Sequence, residues 1–151
     1  MTATRRSYET VTRPDRRKGT YILFLTFTES REIQVGSLGT LSIEAGEYCY
    51  VGSAMNGLDS RLRRHLSKEK RPHWHIDSLT LSADSMEAYV PSVPIGECRL
   101  AGTAEQCGCI PAFKGFGSSD CRCRPHLFRV GGASKPKLLN ASAAEPFIPS
   151  A

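Results

Sequence analysis

Tyr21-Ile-Leu-Phe-Leu-Thr-Phe-Thr28 decides the fold, because three shorter runs of the same character follow it at once. The stretch is apolar, rich in β-forming residues and short enough to be a buried strand. Arg31-Glu-Ile-Gln-Val35 comes next, and Gly36-Ser-Leu-Gly39 turns into Thr40-Leu-Ser-Ile43. Ala45-Gly46 turns the chain again into Glu47-Tyr-Cys-Tyr-Val51. Four short runs parted by turns predict an antiparallel meander. After Gly57 the period changes. Leu58, Leu62 and Leu66 recur at every fourth position, the apolar stripe of a helix from about 58 to 70 that Pro72 stops or restarts. Outward from there, a short helix is expected through Trp74-His-Ile-Asp-Ser-Leu79 and a strand at Ser85-Met-Glu-Ala-Tyr-Val90. A helix from Gly96 to about Cys107 and a strand at Leu127-Phe-Arg-Val130 complete the pattern. The reading is α+β: one domain with a central antiparallel sheet flanked by helices.

The 151 residues suit one core. Residues 1–18 lack hydrophobic periodicity and read as a flexible basic arm. Residues 131–151, dominated by Gly, Ala, Ser and Pro, read as a flexible tail, so the domain fills 19–130. No apolar run approaches a membrane span, and nothing after Arg5 and Arg6 resembles the apolar part of an export signal. A cytoplasmic protein is expected, with its six cysteines as thiols or metal ligands rather than disulfides.

The net charge of +5 is unevenly spread. The arm carries Arg5, Arg6, Arg13, Arg16, Arg17 and Lys18 against Glu9 and Asp15, while residues 19–130 balance. Within that neutral core the charge has segregated. Residues 59–71 hold Arg61, Arg63, Arg64, Lys68, Lys70 and Arg71 against Asp59 and Glu69, whereas 29–47 hold four glutamates against Arg31. Arg61, His65 and Lys68 share a helix face away from the leucine stripe, suited to an anion. Taken alone, such a face is more often a solvated surface.

Gly19-Thr20-Tyr21, Tyr50-Val51-Gly52 and Leu58-x-x-Arg61-x-x-x-His65 resemble, in that order, the signature of the GIY-YIG nuclease superfamily. His73-Trp-His-Ile-Asp77, Gly115-Phe-Gly-Ser-Ser-Asp-Cys-Arg-Cys123 and His126-Leu-Phe128 resemble its Uri-type subgroup, and the likeness spans about 19–130. The triplets read GTY and YVG, and the gap between Tyr21 and Tyr50 is long, consistent with an extra β turn. The resemblance implies a metal-dependent endonuclease acting on nucleic acid, DNA rather than RNA, with one Mg²⁺ or Mn²⁺. It implies Tyr21 and Tyr50 on adjacent strands, Arg61 at the scissile phosphate, and Glu97 in the place of the metal-binding glutamate. Arginine's planar, always charged fork suits the phosphorane oxygens. Mg²⁺ needs few carboxylates, keeps its own waters and stabilises a leaving oxygen. Tyr21 would be the base or the group orienting water, its pKa lowered by Arg61, Lys68 or the metal. His65 would share that role or brace Tyr50. Arg64, Lys68, His73, His75, Arg122 and Arg124 are candidates for touching nucleic acid.

Other readings compete. The strand tyrosines suit simple packing, and Glu97 suits a helix start. His73-x-His75-x-Asp77 partly resembles the HxHxDH metal motif of metallo-β-lactamase-like hydrolases, but Ser78 stands where the last histidine belongs. Cys107-x-Cys109 and Cys121-x-Cys123 together offer four thiolates to zinc, with tighter spacers than usual. The rival of another class is a nucleic-acid-binding module that has kept the scaffold without turnover.

Overall fold

The computed structural model describes residues 17–113 and 126–149. Chain order is β1 (Gly19–Phe27), β2 (Arg31–Gln34), β3 (Thr40–Ile43), β4 (Gly46–Ala54), α1 (Leu58–Leu66), α2 (His75–Ser82), β5 (Ser85–Pro91), α3 (Glu97–Gln106), β6 (Ile110–Pro111), β7 (Leu127–Val130), α4 (Ser134–Ala141) and β8 (Ala144–Phe147). Six strands form one antiparallel sheet in the order β6-β7-β4-β1-β5-β8. The described residues thus form a single α+β domain with a central antiparallel sheet and four helices.

The sheet is buried on both faces, which is why β1 reads as a continuous apolar run rather than an alternating one. Tyr21, Leu23, Leu25 and Phe27 face one side and pack with Leu58, Leu62, Ile76 and Leu79 of α1 and α2. Ile22 and Phe24 face the other and meet Leu100, Ala101 and Ala104 of α3 and Leu138 of α4. Fully burying a large apolar side chain stabilises by about 1.5–3 kcal/mol, so β1 is the chain's principal anchor.

Three expectations are corrected. The first four strands are not one meander: β2 and β3 pair only with each other, and β4 lies directly against β1. The first helix ends at Leu66, not near Lys70, because Ser67 turns extended (φ −84°, ψ 139°) and the Lys70 ammonium caps the carbonyls of Arg64 and His65. The tail from 131 is ordered over α4 and β8. Leu138 is fully buried there, and β8 pairs with the edge of β5 through backbone groups that need no apolar pattern. Of the basic arm, all but Arg17 and Lys18 lies outside the described residues.

Candidate active site

The β1–β4 register sets Tyr21 opposite Gly52. A Cβ added at Gly52 would sit 2.5 Å from the Tyr21 hydroxyl, so the glycine is the space through which the phenol lies across the neighbouring strand. The hydroxyl thereby reaches His65 Nε2 of α1 at 2.8 Å. Tyr50, beside Leu23 in the register, completes an aromatic cluster with ring centroids 6.5 Å from Tyr21 and 6.4 Å from His65. Helix α1 starts at a left-handed Gly57 (φ 78°) and buries Leu58, Leu62 and His65, which fixes the direction in which Arg61 leaves it.

Arg61 stacks over Trp74 at 4.6 Å from the ring centroid and donates to the Ser53 carbonyl at 3.0 Å. The hydroxyl of the same Ser53 donates to Glu97 Oε1 at 2.5 Å, while Glu97 Oε2 lies 2.6 Å from Nδ1 of the buried His126. His126 is held beside β4, its carbonyl accepting the Val51 N–H at 2.9 Å. Glu97 is the first residue of α3, after the N-cap Gly96. Ser53 therefore joins a tyrosine–histidine–arginine half on one face of the sheet to a glutamate–histidine half on the other.

The electrostatics follow from burial. Burial pushes the Tyr21 phenol up to about 12, although Arg61's charge and hydrogen bond oppose it. Arg61 therefore does not lower the tyrosine as expected of it, because desolvation exceeds what one nearby cation restores. Burial, and then the charges of Tyr21 and Glu97, likewise raise Tyr50, against Arg61. Burial first and Lys70 second press His65 down to about 3, so its ring is neutral, with Nδ1 buried and unpartnered among the described residues. Burial pulls Glu97 upward, yet hydrogen bonds from His126 and Ser53 and the charge of Arg61 hold it below the ordinary range. The carboxylate is ionised, and a quarter of its side chain stays exposed.

Several candidates lie apart from this cluster. The Lys68 ammonium donates to the carbonyls of Thr80, Leu81 and Ala83, so it caps α2 instead of facing an anion. Arg64 is tied to the buried carboxylate of Asp77 at 2.8 Å and stacks on Trp74. His73 stands edge-on to Trp74, with centroids 4.9 Å apart, while His75 lies 3.4 Å from Ser37 Oγ. His73, His75 and Asp77 do not converge as metal ligands: Asp77 Oδ2 accepts the backbone N–H groups of His73 and Trp74. The metallo-hydrolase reading fails on that geometry. Arg122, Arg124, Cys121 and Cys123 lie outside the described residues. Cys107 and Cys109 are free thiols, as is Cys49, and no metal-binding group of three or more His, Cys, Asp or Glu occurs among the described residues. Cys98 is disulfide-bonded, against the expectation of thiols or metal ligands throughout.

Sequence reasoning missed Ser53, Trp74 and His126 as site residues. Trp74, the single tryptophan and set between two histidines, and His126, which opens the His126-Leu-Phe128 segment, offered a signal, and Ser53 offered none.

The fold and this cluster define a GIY-YIG-like domain. The family described as a domain of unknown function, DUF123, matches over residues 20–147, and the chain belongs to it. No curated protein and no solved structure matches the chain. Among the described residues no helix is long and apolar enough to cross a membrane.

Proposed function

We propose that this chain is a metal-dependent endonuclease of the Uri type that hydrolyses phosphodiester bonds in nucleic acid, with DNA as the first substrate to test. The observation that carries the reading is the hydrogen-bonded line Arg61–Ser53–Glu97, which sets an always charged fork and an ionised carboxylate on opposite sides of one serine. Arg61 is suited to the phosphorane oxygens, where its charge acts without reorganising. Tyr21 and His65 orient the attacking water. With the phenol near 12 and the imidazole near 3, neither is an effective base at neutral pH. The half-buried Tyr50 adds a phenol beside them.

Glu97 fits a hard cation: it is ionised, partly open, and aimed by Ser53 and His126 as an outer-shell pair aims a ligand. One carboxylate is enough for Mg²⁺, which brings most of its own waters. When bound, that ion supplies charge stabilisation and a proton donor for the departing oxygen. The alternative, a binding module without turnover, is favoured by one observation: both Glu97 oxygens already have close polar neighbours, Ser53 Oγ at 2.5 Å and His126 Nδ1 at 2.6 Å.

Purified protein incubated with labelled single-stranded, duplex and branched DNA, with Mg²⁺, Mn²⁺ or chelator, decides between them. Cleavage should need the metal. Glu97→Gln should lower it by several orders of magnitude, with DNA binding kept or tightened as a negative charge disappears. Mg²⁺-dependent cleavage by a folded Glu97→Gln protein would remove Glu97 from the metal. Binding by the wild type without cleavage in any metal would leave the module.

A further inference from the structure

Beside Glu97 the surface opens into a cleft of about 900 Å³ that extends past the hydrolytic cluster to the segment between β5 and α3. Its floor is the end of β1 and β4, and one wall is the segment between β5 and α3. That wall is pinned at both ends: Ser92 N–H donates to the Ala143 carbonyl at 2.9 Å, and Thr20 Oγ donates to the Ile95 carbonyl at 3.1 Å. The lining of the cleft includes Met55 and Val93, 79 % and 54 % exposed, so it offers apolar surface to solvent. The rim is basic. Lys18 and Arg99 line it and take part in no ion pair among the described residues. Glu97 and Ser53 also line the cleft, which therefore adjoins the hydrolytic cluster.

We propose that this cleft receives an unpaired nucleobase adjoining the cleaved phosphate, so that the substrate is a single strand or a locally opened duplex; the inference rests on the phosphodiesterase reading of the Glu97 site. The volume lies within the range of small-molecule sites and is far larger than an ion needs. Apolar sides with a cationic rim suit a flat base whose phosphates stay outside. A paired base cannot enter, because its faces are stacked and its edge is taken. Enzymes that take a base out of the stack seat it between aromatic or apolar side chains, and proteins that handle single strands add a positively charged path for the backbone. Enzymes that need one base take it from the stack at a cost that is least where pairing is already lost. Discrimination would thus come from Met55 and Val93, with Lys18 and Arg99 adding affinity regardless of pairing.

The test measures binding in chelator, so it does not depend on turnover. Fluorescence anisotropy compares a labelled single-stranded oligodeoxynucleotide, its duplex, and the same strand with abasic sites. The full protein is tested as wild type and as Met55→Ser/Val93→Ser, whose positions are exposed enough to spare the fold; thermal unfolding checks this. We expect the single strand to bind at least ten-fold tighter than the duplex or the abasic strand. The double variant should lose most of that preference and keep its duplex affinity within two-fold. Equal affinity of the wild type for all three ligands overturns the inference, as does a variant that keeps the preference. Adding Mg²⁺ separates the two proposals. Cleavage without a single-strand preference sinks the cleft and spares the nuclease, and preference without cleavage does the opposite.

Discussion

Ser53 brings no acid, base or charge of its own, yet its carbonyl takes Arg61 and its hydroxyl takes Glu97. A residue of this kind is invisible in a sequence because its role is set by register: it lies opposite Thr20 on β1 and 44 positions from the carboxylate it holds. His126 stood in a motif of the sequence, but its contact with Glu97 is likewise set by the fold. Tyr21, Arg61, His65 and Glu97 were legible because their side chains carry chemistry and stand in a known order. Lys68 was misleading, since spacing along a helix says which face a lysine leaves, not which carbonyls it finds. Arg61→Lys should lose most activity, at least ten-fold in kcat, because an ammonium cannot reproduce a planar clamp. Trp74 stacks on Arg61, and in the proposed nuclease it would act through that arginine as a positioning residue. Cation–π contacts contribute roughly 0.5–2 kcal/mol, so Trp74→Ala should lower kcat by about two- to thirty-fold, and Trp74→Phe should restore part of it. Equal activity of Trp74→Ala and wild type, or equal loss in Phe and Ala, would show that the ring does not hold the arginine.

At the scale of elements, β1 and β4 were readable as β-rich runs bounded by turns, and α1 by the four-residue spacing of its leucines. What pairs with them was not. The hairpin β2–β3 looked like part of the main sheet, since turn chemistry reports neighbours in the chain and says nothing of whether a fourth strand passes over to join the first. Strand β8 was unreadable for a different reason. Ala144-Glu-Pro-Phe147 has no β-branched residue, and Pro146 is tolerated only because the strand lies at the sheet's edge. Helix α4 shows one fully buried side chain, Leu138, in a stretch rich in Gly, Ala and Ser. Leu138→Ala should therefore cost about 2–5 kcal/mol, the range for emptying a packed leucine site. Urea unfolding measures it. A loss under about 0.5 kcal/mol would restore the flexible tail.

For the whole molecule, the consequence of burying a histidine under a basic helix is a stability that depends on pH. His65 is 1 % exposed, and its folded value is pressed from 6.5 to about 3, chiefly by burial and secondly by Lys70. Between those values the unfolded chain binds a proton at His65 that the folded chain refuses. Stability therefore rises with pH in this window: its His65 part is complete above about 6.5 and is lost as pH falls below it. The upper end of the window belongs to histidine. Asp77 and Glu97 start from 3.8 and 4.5 in the unfolded chain and fall lower on folding, so their linkage begins at more acid pH. One pH unit inside the window corresponds to about 1.4 kcal/mol at most, so by pH 5.5 the protein should have lost roughly 1 kcal/mol relative to pH 7.5. His65→Gln isolates the effect, because His73, His75 and His126 are unchanged and glutamine still offers Tyr21 a hydrogen-bonding partner while binding no proton. Urea midpoints at pH 7.5 and 5.5 are the measurement. The variant should start lower at pH 7.5, having lost packing, but should fall less between the two pH values than the wild type does. Parallel declines in the two proteins would mean that His65 is reached by protons in the folded state. The neutral ring beside Tyr21, and with it the water-orienting role of that pair, would then have to be given up.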